Sequence, residues 1–213
     1  MSTVYDCEVP DRRTAGLAAA ASAIRTSRLV VFPTDTVYGI GCDAFSSEGV
    51  NALFEAKARG RHLPLSVLVG SWDTVHGLVR SVPRMAQDLI EAFWPGGLSI
   101  VLPQAPSLAW DLGDTRGTVS VRMPLHPVAL ELLREVGPIA QSSANRSGSM
   151  PATTVADAQI QLGESVTVYL DGGPAGAAVP STIVDLTSNT PRLLREGAVT
   201  RSAVAEVLGV TVG

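Results

Sequence analysis

One lysine stands among fifteen arginines in this 213-residue sequence, and it lies in a dense basic cluster. The cluster reads KARGRH, from Lys57 to His62, and follows a segment with helical spacing. An ammonium point charge beside guanidinium forks suits a polyphosphate. Basic residues also complement a helix C-terminus, and Gly60 would fit as the C-cap. The cluster alone leaves both interpretations open.

Two segments rich in small polar side chains follow short apolar runs. One reads PTDTVYG from Pro33 to Gly39, and the other reads QSSANRSG from Gln141 to Gly148. Ligands of open α/β sheets bind in loops that follow strands. Hydroxyl groups can donate to a phosphate or carboxylate, and glycine lets backbone N–H groups approach an anion. A turn capped by Asp35 is the alternative interpretation of the first segment.

Three further polar residues stand beside apolar strand-like segments. Arg122 lies in the alternating run 118–123, on the face opposite the apolar residues. A guanidinium held on a strand could clamp a carboxylate, although an exposed strand face would look the same. Ser181, in PSTIVD, and Arg195, in LREGA, also fit ordinary strand ends.

Composition and missing motifs exclude several classes of protein. The net charge of −4 and the pI near 5.3 argue against a general nucleic-acid binder. Cys7 and Cys42 are far apart and form no C-x-x-C pair, so a zinc knuckle or disulfide framework is not expected. The sequence has no Walker A motif, no H-E-x-x-H and no G-x-S-x-G. The N-terminal residues lack a signal-peptide pattern, which favours a cytoplasmic protein without a membrane segment.

Hydrophobic periodicity predicts a single α/β domain over 1–213, with an open, twisted, mixed sheet and flanking helices. The functional motifs fall within about 14–198, and a short helix follows at 200–208. Thr14 and Ser47 are the predicted caps of the first two helices. Helices are predicted at 15–27, 48–59, 72–79, 83–93, 127–136, 155–162 and 201–208. Strands are predicted at 29–32, 65–69, 98–102, 118–123, 138–140, 166–170 and 182–186. Long loops are expected at 104–117 and 171–180.

Taken together, seven ordered motifs resemble the YrdC-like domain of the threonylcarbamoyl-adenylate synthases. They are PTDTVYG, KAR with PLSVLV, WPGGLS, VSVRMP, SSANRSG, PSTIVDL and LREGA, and they span 33–198. The resemblance implies a basic cleft in which L-threonine, bicarbonate and ATP with Mg²⁺ form threonylcarbamoyl-AMP and pyrophosphate. A separate transferase complex would then modify the adenosine beside the anticodon of tRNA, and direct contact with tRNA is conceivable.

The resemblance also implies roles for individual residues. The threonine side of the cleft would contain Thr36, Arg122, Gln141 and Ser181. The ATP side would contain Lys57, Arg59, Thr118, Ser143, Asn145 and Arg195. It implies no side-chain nucleophile and no metal ligand from the protein. The sequence departs from the family pattern at Ala58, Gly97, Leu63 and Leu68, and the two leucines leave contacts there open.

Two other functions fit parts of the pattern. A carbamoyl-adenylate step occurs in longer carbamoyltransferases that contain a similar domain, but their acylphosphatase-like and zinc-finger segments are not visible in this sequence. A non-catalytic module that binds double-stranded RNA or tRNA could use a basic cleft. The few aromatic residues, 5% of the chain, offer little stacking surface for that purpose.

Overall fold

The computed structural model describes residues 1–176 and 178–213, so Ala177, in the predicted loop 171–180, lies outside the described residues. The strands are β1 (Thr3–Asp6), β2 (Val30–Phe32), β3 (Gly39–Asp43), β4 (Ser66–Leu68), β5 (Leu98–Pro103), β6 (Thr118–Arg122), β7 (Ile139–Ser143), β8 (Val168–Asp171), β9 (Thr182–Asp185) and β10 (Arg192–Arg195). The helices are α1 (Pro10–Arg25), α2 (Ser47–Ala56), α3 (Asp73–Leu78), α4 (Arg84–Phe93), α5 (Pro127–Val136), α6 (Val155–Leu162) and α7 (Arg201–Leu208).

All ten strands join one sheet in the order β1-β8-β2-β3-β7-β4-β6-β5-β9-β10. The sheet contains both parallel pairs, such as β4 with β6, and antiparallel pairs, such as β5 with β6. The predicted α/β class with an open mixed sheet is therefore confirmed. Helices α1 and α5 pack on each other over a core that contains Ile24, Leu132 and Leu170. A larger core, which includes Tyr38, Leu53 and Ile100, fills the rest of the molecule.

Three strands, β1, β3 and β10, were not predicted from the sequence. The sequence of β3, GIGCD, carries two glycines and so lacks a β-forming pattern. The structure needs them, because a Cβ on Gly41 would stand only 2.4 Å from Ile139 Cγ2. Strands β1 and β10 are sheet edges with mostly exposed or half-buried residues, so they bury too little apolar surface to give a pattern.

The predicted helix ends were wrong in three places. Helix α1 begins at Pro10, and Thr14 lies inside it, where its hydroxyl donates to the Pro10 carbonyl at 3.1 Å. Ser46, not Ser47, caps α2 by accepting from the Gly49 N–H at 3.0 Å. Helix α2 ends at Ala56, so Gly60 is not its C-cap, and the left-handed turn falls on Ala58 with φ of 48°.

Strand β7 is longer than predicted and changes the setting of the SSAN segment. Gln141 and Ser143 were expected in a loop, but both belong to β7, between β3 and β4. Gln141 pairs with Gly41 on one side and with Ser66 on the other. Their side chains are therefore held by a central strand with backbone partners on both sides, which fixes them more tightly than a loop would.

Candidate functional site

A cleft of about 180 Å³ is lined by residues of β4, β6, β7, β9 and β10 and of the loops beside them. Seven of the ten predicted site residues line it, and they come from six separate sequence motifs. They are Thr36, Arg59, Arg122, Gln141, Ser143, Ser181 and Arg195. The structure thus assembles most of the predicted residues in one place.

At one end of the cleft, Arg122 is the last residue of β6, and its guanidinium is held by three hydrogen bonds. Its Nε donates to the Gly96 carbonyl at 2.9 Å, Nη1 donates to Thr36 Oγ1 at 3.0 Å, and Nη2 donates to Asp35 Oδ1 at 2.7 Å. The residue is only 4% exposed, which rules out the exposed strand face. Burial lowers the pKa of Arg122, and the Asp35 carboxylate opposes that shift. A guanidinium has five N–H groups, so two remain beyond these three bonds.

The PTDTVYG segment supplies the support for this end of the cleft. The Thr34 hydroxyl lies 3.1 Å from Thr36 Oγ1 and donates to the Val37 carbonyl at 2.6 Å. Asp35 bonds to Arg122 and also accepts from the Leu125 N–H at 2.8 Å. The alternative of a turn capped by Asp35 is wrong, because the carboxylate bonds to a distant segment and the Thr34 hydroxyl makes the local bonds, to Thr36 N–H and the Val37 carbonyl. Sequence reasoning missed Asp35 as the partner of Arg122, and nothing in the local pattern joins the two motifs.

Arg195 projects from edge strand β10 and reaches over β9. Its Nε and Nη2 donate to the Ser181 carbonyl at 3.0 and 2.7 Å, and Nη2 also reaches Ser181 Oγ at 3.2 Å. That hydroxyl lies 3.0 Å from Ser99 Oγ. A bulge between Leu193 and Arg195 shifts the register of β10 at this point. Ser181 thus orients Arg195 and lines the cleft at the same time.

Arg59 enters the cleft from the loop after α2. Its Nε donates to the Leu63 carbonyl at 2.7 Å and its Nη2 to the Pro64 carbonyl at 3.2 Å. Burial lowers the pKa of Arg59 and of Arg195, and the charge of Arg195 lowers the pKa of Arg59 further. The guanidinium groups therefore repel one another across the cleft, an arrangement that a bound polyanion would relieve.

Lys57 does not line the cleft, contrary to the expectation of a direct phosphate contact. It is 1% exposed, and its ammonium donates to the backbone carbonyls of Ser143 and Asn145. Its own carbonyl accepts from the Ser147 N–H at 2.8 Å. Burial, followed by the charge of Arg59, lowers the pKa of Lys57 to about 7. Helix-dipole complement does not explain this placement, because the ammonium bonds to another segment.

Thr118 and Asn145 also lie outside the cleft lining. The Thr118 hydroxyl donates to the Thr115 carbonyl at 2.7 Å and closes the loop 104–117. The Asn145 side chain donates to the carbonyls of Arg146 and Ser149, each at 2.8 Å, and its Oδ1 is a buried acceptor without a partner in the described residues. In this structure both residues organise loops, and the expected ATP contacts at these positions stay predictions.

The two unusual leucines have different surroundings. Leu68 is fully buried with Leu132 and Ile139 in the core under α1 and α5. Leu63 is 42% exposed and immediately precedes Pro64, which lines the cleft. Gly97 is needed for close packing, because a Cβ there would stand 2.6 Å from Ala198 Cβ.

Residues 1–176 and 178–213 contain neither a cluster of metal-ligating side chains nor a membrane-spanning helix. Within those ranges no group of three or more His, Cys, Asp or Glu residues converges as a metal site. No helix in the same ranges is long and apolar enough to cross a bilayer.

Comparison with known families and proteins identifies similar sequences along most of the chain. The Sua5/YciO/YrdC profile, described as "Telomere recombination", matches residues 22–197. A Mycobacterium tuberculosis protein named "Putative threonylcarbamoyl-AMP synthase" is 60% identical over 210 residues, covering 99% of this chain and 97% of the relative. The Bacillus subtilis "Threonylcarbamoyl-AMP synthase" is 39% identical over 196 residues, covering 91% of this chain but 56% of the relative.

Solved structures agree with these relationships. The crystal structure of Pyrococcus abyssi Sua5 complexed with L-threonine matches with a TM-score of 0.92 and 33% identity. That match covers 100% of this chain and 62% of the archaeal chain, so this chain spans less than two thirds of that relative. Escherichia coli YciO matches with a TM-score of 0.83 at 23% identity, which shows a shared fold.

Proposed function

Because the chain belongs to the Sua5/YciO/YrdC family, we propose that it is an L-threonylcarbamoyladenylate synthase, a nucleotidyltransferase. The reaction joins L-threonine, bicarbonate and ATP into threonylcarbamoyl-AMP and releases pyrophosphate and water. One observation carries the proposal. Seven residues from six separate motifs converge on a single cleft that holds three arginines and several hydroxyl groups. Such a cleft suits one carboxylate and one polyphosphate together.

Arg122 and its neighbours form the proposed threonine end. The two remaining N–H groups of Arg122 can bind the substrate carboxylate, while Thr36 and Ser181 offer hydroxyls to the amine or side-chain hydroxyl of threonine. Gln141 supplies an amide from the central strand β7. The hydrogen bond between Arg122 and Thr36 fixes these two side chains before the ligand arrives, which lowers the entropic cost of binding.

Arg59 and Arg195 form the proposed nucleotide end, with Ser143 beside them. Their guanidinium groups would neutralise charge that develops on the phosphates. Mg²⁺ would arrive with ATP as part of the substrate. Lys57 and Asn145 would act through the SSANRS loop that they hold, and Thr118 through the turn that precedes β6.

The chemistry requires no side-chain nucleophile. The neutral amine of threonine attacks CO₂, which forms from bicarbonate by loss of water, and the amine gives up a proton as the carbamate forms. If the amine attacks bicarbonate directly, the C–OH bond breaks and the hydroxyl leaves with that proton as water. A carbamate oxygen then attacks the α-phosphorus of ATP, and the bond to pyrophosphate breaks. Holding the two substrates in line would supply much of the rate. A water-poor cleft would protect the labile carbamate, and the buried position of Arg122 fits that need.

The wider setting is part of the same proposal. The product would pass to a transferase complex that modifies the adenosine beside the anticodon of tRNA. The reaction would take place in the cytoplasm. Any contact with tRNA itself would be local, because the chain as a whole is acidic.

Mass spectrometry of the products provides the test. Purified protein is incubated with Mg-ATP, bicarbonate and L-threonine, and pyrophosphate is measured in parallel. We expect threonylcarbamoyl-AMP, with pyrophosphate release that depends on both threonine and bicarbonate. Release of inorganic phosphate, or pyrophosphate release that ignores threonine, would contradict the proposal. In a parallel incubation with a carbamoyl donor such as carbamoyl phosphate and no threonine, formation of a carbamoyl-adenylate would instead support the alternative carbamoyl-transfer chemistry.

A further inference from the structure

The three arginines of the cleft differ in how their charge is balanced. Arg122 has a carboxylate partner, with Nη2 2.7 Å from Asp35 Oδ1. Arg59 and Arg195 are oriented by backbone carbonyls, and no carboxylate among the described residues lies within 4 Å of either guanidinium. A carbonyl dipole can orient a cation without cancelling its charge. Positive potential should therefore concentrate at Arg59 and Arg195.

Asp35 is itself held in place and stands behind Arg122. Its Oδ1 accepts from both the Arg122 guanidinium and the Leu125 N–H, and its side chain is 17% exposed. The residue does not line the cleft, although its neighbours Thr34 and Thr36 do. A ligand in the cleft would therefore meet the guanidinium and not the carboxylate.

We propose that Asp35 is a specificity-determining residue that reserves Arg122 for a single carboxylate. It cancels much of the charge of Arg122, so a triphosphate is drawn to Arg59 and Arg195 instead. A carboxylate can still bind Arg122 through directed hydrogen bonds, whereas a polyanion follows the net potential. The identity of the two ligands, threonine and ATP, rests on the proposed function. The difference in net charge between Arg122 and the other two arginines rests on the geometry of this cleft.

The sharpest variant is Asp35→Asn, which keeps the size and the accepting oxygen but removes the charge. The probe is inorganic tripolyphosphate, titrated calorimetrically at low salt. We expect Asp35→Asn to bind it about tenfold more tightly than wild type, as for one added charge-assisted hydrogen bond. Asp88→Asn is the matched control, because it changes the net charge equally at the Arg84 pair on α4, outside the cleft lining. Adding Arg122→Gln to Asp35→Asn should remove the gain.

A competition experiment tests the same idea, and its wild-type arm gives a result that does not depend on any variant. In wild type, saturating tripolyphosphate should raise the Kd for L-threonine by less than roughly twofold, and in Asp35→Asn by roughly fivefold or more. Strong competition in wild type, or equal tripolyphosphate affinity in wild type and Asp35→Asn, would overturn the inference. If wild type binds no threonine, the proposed function fails, and the tripolyphosphate titrations still decide the role of Asp35.

Discussion

The two ends of the cleft use opposite means to hold a positive charge. At the Arg122 end, the cation sits at the end of a strand and is paired with a carboxylate that a backbone N–H also binds. At the other end, Lys57 and Arg59 follow a helix and bond to the carbonyls of loops. The first arrangement fixes a cation in one orientation with reduced net charge. The second leaves the positive charge without a carboxylate partner, and the loops are held in place by their hydrogen bonds to the cations.

Lys57→Ala should have the largest effect and should act on folding. The variant removes a buried stem and leaves the carbonyls of Ser143 and Asn145 without their donor. We expect a loss of about 2–5 kcal/mol in the free energy of unfolding, from the cavity and the unpaired carbonyls. Chemical denaturation without ligand measures it.

Lys57→Met is the companion variant, because it keeps an unbranched stem and removes only the ammonium. Its loss should be smaller than that of Lys57→Ala. If both variants unfold at the wild-type denaturant concentration while ATP affinity collapses, Lys57 contacts phosphate directly and the loop-holding role is wrong.

Arg59→Ala should have a smaller effect and should act on nucleotide binding. Arg59 lines the cleft without a carboxylate partner among the described residues, so its loss should weaken ATP binding by about 1.5–3 kcal/mol. Isothermal titration with ATP measures the change. Threonine affinity should change little.

Arg61→Ala is the matched control for this prediction. Arg61 pairs with Asp111 and lies over the Phe54 ring, outside the cleft lining. It should leave ATP affinity within about 0.5 kcal/mol of wild type, as expected of a surface cation. Equal losses in both variants would mean that ATP responds to overall charge and not to this end of the cleft.

The sequence predicted the polar motifs of the cleft better than it predicted two of the strands near them. Motifs such as PTDTVYG and VSVRMP are short and local, and their polar residues do reach one cleft. Strand β3 was missed because its glycines allow a close approach that leaves no apolar alternation. The edge strand β10, which carries Arg195, is largely exposed and gives little hydrophobic signal.

The missed contacts were those that join distant segments. Asp35 and Arg122 are 87 residues apart, and Lys57 and Asn145 are 88 apart, so no local spacing predicts either pair. Lys57 was expected on the ATP side of the cleft, whereas its side chain is buried and bonds to the carbonyls of the SSAN segment. Burial of this kind depends on how the sheet brings strands together, which a single sequence does not reveal.

The division of the cleft into a carboxylate end and a phosphate end is tested most directly by isothermal titration of wild type and Arg122→Lys. Each protein is titrated with L-threonine, with L-threoninol, which lacks the carboxylate, and with ATP alone. Lysine keeps the charge and loses the fork that orients a carboxylate. Threonine affinity should therefore fall by about 1–3 kcal/mol, with ATP affinity nearly unchanged and threoninol bound weakly by both proteins. Loss of ATP affinity with threonine affinity intact would contradict the assignment of the two ends.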